Sequence, residues 1–217
     1  MNAPARPTEM LREGLRQLAV PDAESTVGRL SQFLDELERW NPRFGFVKAA
    51  SRGELIVKHV LDSLSAWRQV RDEALEGRVL DVGSGAGFPG IPLAIALAGI
   101  SFTLLERSAK KASFLRTCKA LLGLARVEVV QGDLSSLHAP FDVVTFRAVA
   151  PLARFLEDAG PGGITFRSVV AYKGRIERAR QEVVDVQRST RDRFSVDVVP
   201  LTVPFLEEER CVVILRS

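Results

Sequence analysis

Residues 81–88 read Asp81-Val82-Gly83-Ser84-Gly85-Ala86-Gly87-Phe88, a glycine loop between two apolar runs, Arg78 to Val82 and Ile91 to Ala98. Glycines there permit positive φ and let backbone N–H groups approach a ligand closely. A loop at the carboxyl end of a strand is where open α/β sheets bind small molecules. Glu106 ends the next apolar run, where a carboxylate can accept both hydroxyls of a ribose. Gly85, Gly87 and Gly90 also fit G-x-G-x-x-G, so a nicotinamide dinucleotide is one candidate ligand. Pro89 and Pro92 argue against it, because they interrupt the helix start whose free amides would hold a pyrophosphate. Asp81 would repel that pyrophosphate and would attract a sulfonium cofactor with a free amino group. The bland alternative is that the glycines only make a tight turn.

The elements that must position this loop follow from periodicity. Residues 1–76 read as a helical amino-terminal extension, with a stripe of Val27, Leu30, Phe33, Leu34 and Leu37. Pro42 predicts a break at Asn41, with 43–50 as loop. Ser51 and Glu54 form a capping box that opens a helix running to about Arg71. From 77 to 217 strands and helices alternate, which implies a parallel sheet covered on both faces. The predicted strands are 78–82, 101–105, 127–130, 141–145, 168–172, 194–199 and 210–215, with Gly160 to Gly163 stopping the helix after the fourth. The last two strands are about ten residues apart, too short for a helical crossover, so the final strand is expected to run antiparallel.

Composition narrows the class. The chain has 217 residues, 46% apolar, enough for one large core without staples. The longest apolar run is interrupted by proline and glycine, and the amino terminus has no signal-peptide core, so a cytoplasmic protein with no membrane span is expected. Cys118 and Cys211 each sit in an apolar segment and read as buried reduced thiols; no metal-ligand spacing occurs. Net charge is only +3, but residues 107–126 hold six cations and no acid. Arg107, Lys110 and Lys111 stand at a helix start, where cations oppose the dipole, so an RNA phosphate there would offset the cost. Lys173 and Arg175 would flank the same mouth, and Tyr172 could stack on a base or pack in the sheet. A solvated helix face is the simpler reading of these charges.

The pairing of Asp81-x-Gly83-x-Gly85-x-Gly87 with Glu106 resembles the class I S-adenosylmethionine methyltransferases. Residues 81–94 as a whole resemble the signature of one family, the bacterial small-subunit rRNA guanine-N7 methyltransferases (RsmG, formerly glucose-inhibited division protein B). Trp40-Asn41, Lys58-His59, Asp62-Ser63, Lys110-Lys111, Phe114-Leu115, Arg147 to Leu152 and Lys173-Gly174 stand in that family's order. The resemblance implies a Rossmann-like fold, a seven-stranded mostly parallel sheet with an antiparallel last strand. It implies S-adenosyl-L-methionine on Gly83 and Phe88, Glu106 on the ribose, Leu134-Ser135 beside the adenine and Arg147 in the pocket. Asp133-Leu134-Ser135 departs from the family's Arg-Ala-Glu, though Asp133 could take the adenine amino group, and Gly45-Phe46-Val47 departs from its Asn-Leu-Thr.

Guanine N7 carries a lone pair and no proton, so the absence of an obvious general base agrees with methylation there. No Asn/Asp-Pro-Pro-Tyr/Phe motif for amine methylation follows the fourth strand, and neither cysteine suits a pyrimidine-methylating nucleophile. Arg147 is the candidate catalytic residue, holding the cofactor carboxylate or guanine O6; the bland alternative is an ion pair with Asp142 or Glu157. His59, Asp62 and Ser63 fall on one helical face and would line the entrance, or make an ordinary hydrogen bond to the core. The expected partner is small-subunit rRNA in an assembled 30S particle, met by a monomer. A non-catalytic RNA-binding module on the same fold is the third reading.

Overall fold

The computed structural model describes residues 6–75, 77–148, 151–159, 163–190 and 193–217. Val149 and Ala150 of the Arg147 motif and Gly160 to Gly162 of the expected helix stop lie outside them. Five helical stretches come first: α1 (Pro7–Gln17), α2 (Ala23–Phe44), α3 (Arg52–Leu55), α4 (Asp62–Leu64) and α5 (Trp67–Glu73), with a π-helical segment, Ile56–Leu61, joining α3 to α4. Then β1 (Arg78–Val82), α6 (Gly90–Ala96), β2 (Ser101–Glu106), α7 (Ala109–Leu121), β3 (Val127–Gln131), β4 (Pro140–Arg147), α8 (Leu152–Asp158), β5 (Thr165–Lys173), α9 (Ile176–Thr190), β6 (Ser195–Leu201) and β7 (Arg210–Arg216) follow.

The seven strands form one sheet in the order β3-β2-β1-β4-β5-β7-β6. β1 to β5 pair in parallel, and β7 runs antiparallel to both β5 and β6, as the short final connection predicts. The order reverses between β1 and β4, the place where such sheets open a crevice at their carboxyl ends. Alternate strand residues face opposite layers. Val79 joins a core built from α1, α2, α5, α6 and α7, whereas Leu80 and Val82 join one built from α8 and α9. The amino-terminal helices therefore share a single apolar core with one face of the sheet. Cys118 and Cys211 are buried free thiols.

Two expectations fail in instructive ways. Pro42 does not end α2, which continues to Phe44 and stops at Gly45 in the left-handed conformation. Proline removes one backbone donor, but only in the last turn. There the Gly45 N–H donates to Asn41 O at 2.8 Å, and the Asn41 side chain exchanges two hydrogen bonds with the Val47 backbone. Tertiary contacts thus hold Asn41 helical against the bias of the following proline. The capping box does form: Ser51 Oγ accepts from Glu54 N at 3.2 Å, while Glu54 accepts from Ala50 N. The helix it opens is not continuous to Arg71; it widens into the π segment and breaks at Ser65-Ala66.

Candidate functional site

A cavity of about 650 Å³ opens at the carboxyl ends of β1, β2 and β3. Gly83 and Gly85, Glu106, Arg107, Lys111, Asp133, Leu134 and Ser135 line it, together with Ala148 and Asp158. Gly85 is required by conformation (φ 58°) rather than by crowding, since an added Cβ would meet nothing nearer than 3.7 Å. The loop is tied to β2 twice: Ser84 N donates to Leu105 O at 3.0 Å, and Gly85 N to Glu106 Oε2 at 2.9 Å. Glu106 Oε1 accepts from Ser108 N at 2.8 Å. Its carboxylate is thereby fixed at the cavity wall with lone pairs still available, a donor set that suits ribose hydroxyls. Asp133 caps a short 3₁₀ turn over Leu134–Ser136, and hydrogen bonds from Ser135 hold its carboxyl below the usual range.

Asp81, Gly87 and Phe88 stand behind the cavity rather than in its wall. Asp81 is fully buried; its Oδ2 accepts from Gly90 N at 3.1 Å and its Oδ1 has no hydrogen-bond partner among the described residues. Burial raises its pKa to about 7. Asp81 braces the loop from beneath. Gly90 allows that bond, because an added Cβ would lie 2.5 Å from the Asp81 carboxylate. With Ile91 N bonded to Gly87 O and Leu93 N to Pro89 O, and no N–H on Pro92, the start of α6 keeps no free amide for a pyrophosphate. That removes the structural basis of the nicotinamide reading.

Arg147, at the end of β4, turns away from the cavity wall and toward the amino-terminal helices. Its guanidinium donates to Asp62 Oδ2 at 2.8 Å, to Lys58 O at 3.2 Å and to His59 Nδ1 at 3.0 Å. Its carboxylate partner is Asp62, neither Asp142 nor Glu157. A guanidinium can only donate, so His59 Nδ1 accepts, and the ring proton sits on Nε2, toward the Lys48 backbone. Burial, reinforced by the Arg147 charge, lowers the His59 pKa to about 4. Phe88 fills the space beneath: His59 stacks on it at 5.1 Å, Arg147 Cζ lies 5.4 Å from its centroid, and Phe33 of α2 meets it edge-on.

The basic residues divide into two kinds. Arg107 and Lys111 line the cavity, and Lys110 lies beside Phe44. Lys173 is not a free cation: it pairs with Glu182 at 2.8 Å, whereas Arg175 is exposed next to it. Tyr172 is buried and donates to Ser63 O, and burial holds its hydroxyl well above the usual range, so it does not stack on a ligand. Sequence reasoning missed Arg210, whose Nε donates to the second Asp62 oxygen at 3.0 Å, and Ala148, strained at φ 55° in the cavity wall. Nothing local marks Arg210; only the antiparallel placement of β7 beside β5 brings it 148 residues back to Asp62.

The family profile described as rRNA small subunit methyltransferase G (GidB) matches residues 27–213. The chain belongs to this family. The ribosomal RNA small subunit methyltransferase G of Treponema pallidum (strain Nichols) is 38% identical over 96% of this chain and 93% of its own length. That of Cupriavidus necator is 33% identical over 94% and 92%. Among solved structures, the O-methyltransferase from Bacillus cereus in complex with SAH matches with TM-score 0.56 at 20% identity over 86% of this chain and 91% of its own. Magnesium protoporphyrin IX methyltransferase from Synechocystis PCC 6803 with bound SAM matches with TM-score 0.54 at 18% identity over the full length of both. At these identities the likeness is one of fold, that of the class I methyltransferases. No described helix in this family member is long and apolar enough to cross a membrane.

Proposed function

We propose that this family member uses S-adenosyl-L-methionine to methylate N7 of a guanine in small-subunit rRNA. The observation that carries the reading is the cavity over β1 and β2, lined by Gly83, Gly85 and the Glu106 carboxylate, in a chain matching this family over residues 27–213. When bound, the cofactor supplies an electrophilic methyl group. Glu106 would hold the ribose, Leu134 and Ser135 would border the adenine, and Asp133 would lie within reach of its amino group. Gly87 and Asp81 would act indirectly, by shaping the loop.

The chain's side of the chemistry is orientation. N7 offers no proton, and His59 has both ring nitrogens engaged and no charge at neutral pH, so it is not a base here. Arg147, locked to Asp62 and His59, would set the far wall against which the guanine is aligned. Arg107, Lys110, Lys111 and Arg175 would meet phosphates, with Lys173 fixed behind them by Glu182. A chain of 217 residues has little surface for reading rRNA sequence, which favours a monomer acting on an assembled 30S particle in the cytoplasm. Incubating the protein and labelled cofactor with unmodified 30S subunits and with naked rRNA tests this. Label confined to one 7-methylguanosine in subunits supports it, and label on another base or on protein overturns it.

A further inference from the structure

Trp40, Phe44 and Phe46 form a half-buried aromatic stack at the carboxyl end of α2. Phe44 and Phe46 lie 5.5 Å apart at 11°, and Trp40 lies 6.2 Å from Phe46 at 25°. Phe114 of α7 anchors the stack from inside, 5.3 Å from Phe46 and 5.6 Å from Trp40. Two cations stand over the Phe44 ring: Arg43 Cζ at 5.2 Å and Lys110 Nζ at 5.7 Å. Lys110 directly precedes Lys111, which lines the cavity, so the stack adjoins the cavity through the first turn of α7.

Among the described residues Arg43, Lys110 and Lys111, like Arg107 beside them, have no carboxylate partner, whereas Arg147, Lys173 and Arg210 are ion-paired. The first turn of α7 holds Lys110 and Lys111 and no acid, against the helix dipole. An aromatic cluster whose nearest cations lie over Phe44 and have no carboxylate partner is complementary to a ligand that is both flat and anionic, on whose phosphates those cations can move, which describes a nucleotide of single-stranded RNA. We infer that Phe44 and Phe46 stack an unpaired nucleobase of the rRNA beside the target guanine, with Arg43 and Lys110 on its phosphates. This rests on the rRNA reading above and adds a subsite to it.

Steady-state methylation of unmodified 30S subunits by Phe44→Leu, which keeps apolar volume but removes the ring, tests the subsite. KM should rise about ten-fold, the size of one base–aromatic stack, with kcat changed far less. Phe44→Tyr should restore KM, and Phe46→Leu should raise it by a smaller factor. Ultraviolet crosslinking of the wild-type protein to unmodified 30S subunits should join Phe44 or Phe46 to rRNA, and the Phe44 crosslink should be absent in Phe44→Leu. Unchanged KM in both leucine variants overturns the subsite. So does a KM rise with the crosslink formed to a ribosomal protein instead of rRNA. Failure of the wild-type protein itself to methylate subunits would instead overturn the rRNA reading.

Discussion

Two polar regions meet at the carboxyl edge of the sheet, and they are built on opposite plans. The cavity over β1 to β3 is walled by residues close in sequence to the strand ends and holds Arg107 and Lys111, and its Glu106 accepts from backbone N–H groups alone, with no cation on either oxygen. The cluster at the end of β4 is closed on itself: Asp62 is 6% exposed, with Arg147 on one oxygen and Arg210 on the other. The first region is poised to receive a ligand. The second already satisfies its own charges, so its contribution is shape and rigidity. A ligand site needs unmet polar groups, while a positioning frame needs met ones.

This contrast can be broken by substitution. Arg147→Ala should abolish methyl transfer while affinity for S-adenosylhomocysteine stays within about three-fold, about 0.7 kcal/mol, because the guanidinium lies outside the cavity wall. Unchanged turnover would remove Arg147 from the site, and lost cofactor affinity would merge the two regions. Asp62→Ala should destabilise the fold by about 3 kcal/mol in denaturant unfolding, the low end for breaking a buried pair, since its arginines are 19% and 21% exposed. A loss under about 1 kcal/mol would show that the cluster is solvated like a surface pair.

On the cavity side, Glu106→Gln turns an acceptor of two backbone N–H groups into one that also presents N–H. Calorimetric affinity for S-adenosylhomocysteine should fall roughly 10- to 100-fold, the equivalent of about 1.5–3 kcal/mol. Unaltered affinity would place the ribose elsewhere. The smallest effect is a pH signature. His59 titrates near pH 4 in the fold against 6.5 ordinarily, so its contribution is full above pH 6.5 and is lost as pH falls toward 4. Asp81, raised to about 7, has the opposite sign: its contribution is full below its ordinary 3.8 and is lost as pH rises through 7. The stability difference between the wild-type protein and His59→Asn isolates the first group. It should shift against the wild type by about 2 kcal/mol between pH 6.5 and 4. A constant difference would show that His59 is not held neutral by the cluster.

Much of the cavity side was legible in the sequence because its determinants are local. The glycine loop, Glu106 and the alternation of strand and helix all declare themselves within a few residues. The closed cluster was legible only in pieces. Asp62 and Arg147 stand out in the chain, but their pairing depends on the π segment, Ile56–Leu61, carrying Lys58 and His59 to the end of β4. Arg210 follows three glutamates and carries no local signal; the order β5-β7 alone gives it a role. Pro42 and Phe46 were misleading or silent for the same reason, since packing on Phe114 and hydrogen bonding to Val47 decide both.

Mapping the methyl group transferred to unmodified 30S subunits, by wild-type protein and by Glu106→Gln, is the decisive measurement. Wild-type protein should give strand cleavage at a single 7-methylguanosine. At cofactor concentrations below the variant's Kd, Glu106→Gln should give a strongly reduced yield. Label at any other atom, or equal yield from the variant, would contradict guanine-N7 transfer from a cofactor held by Glu106.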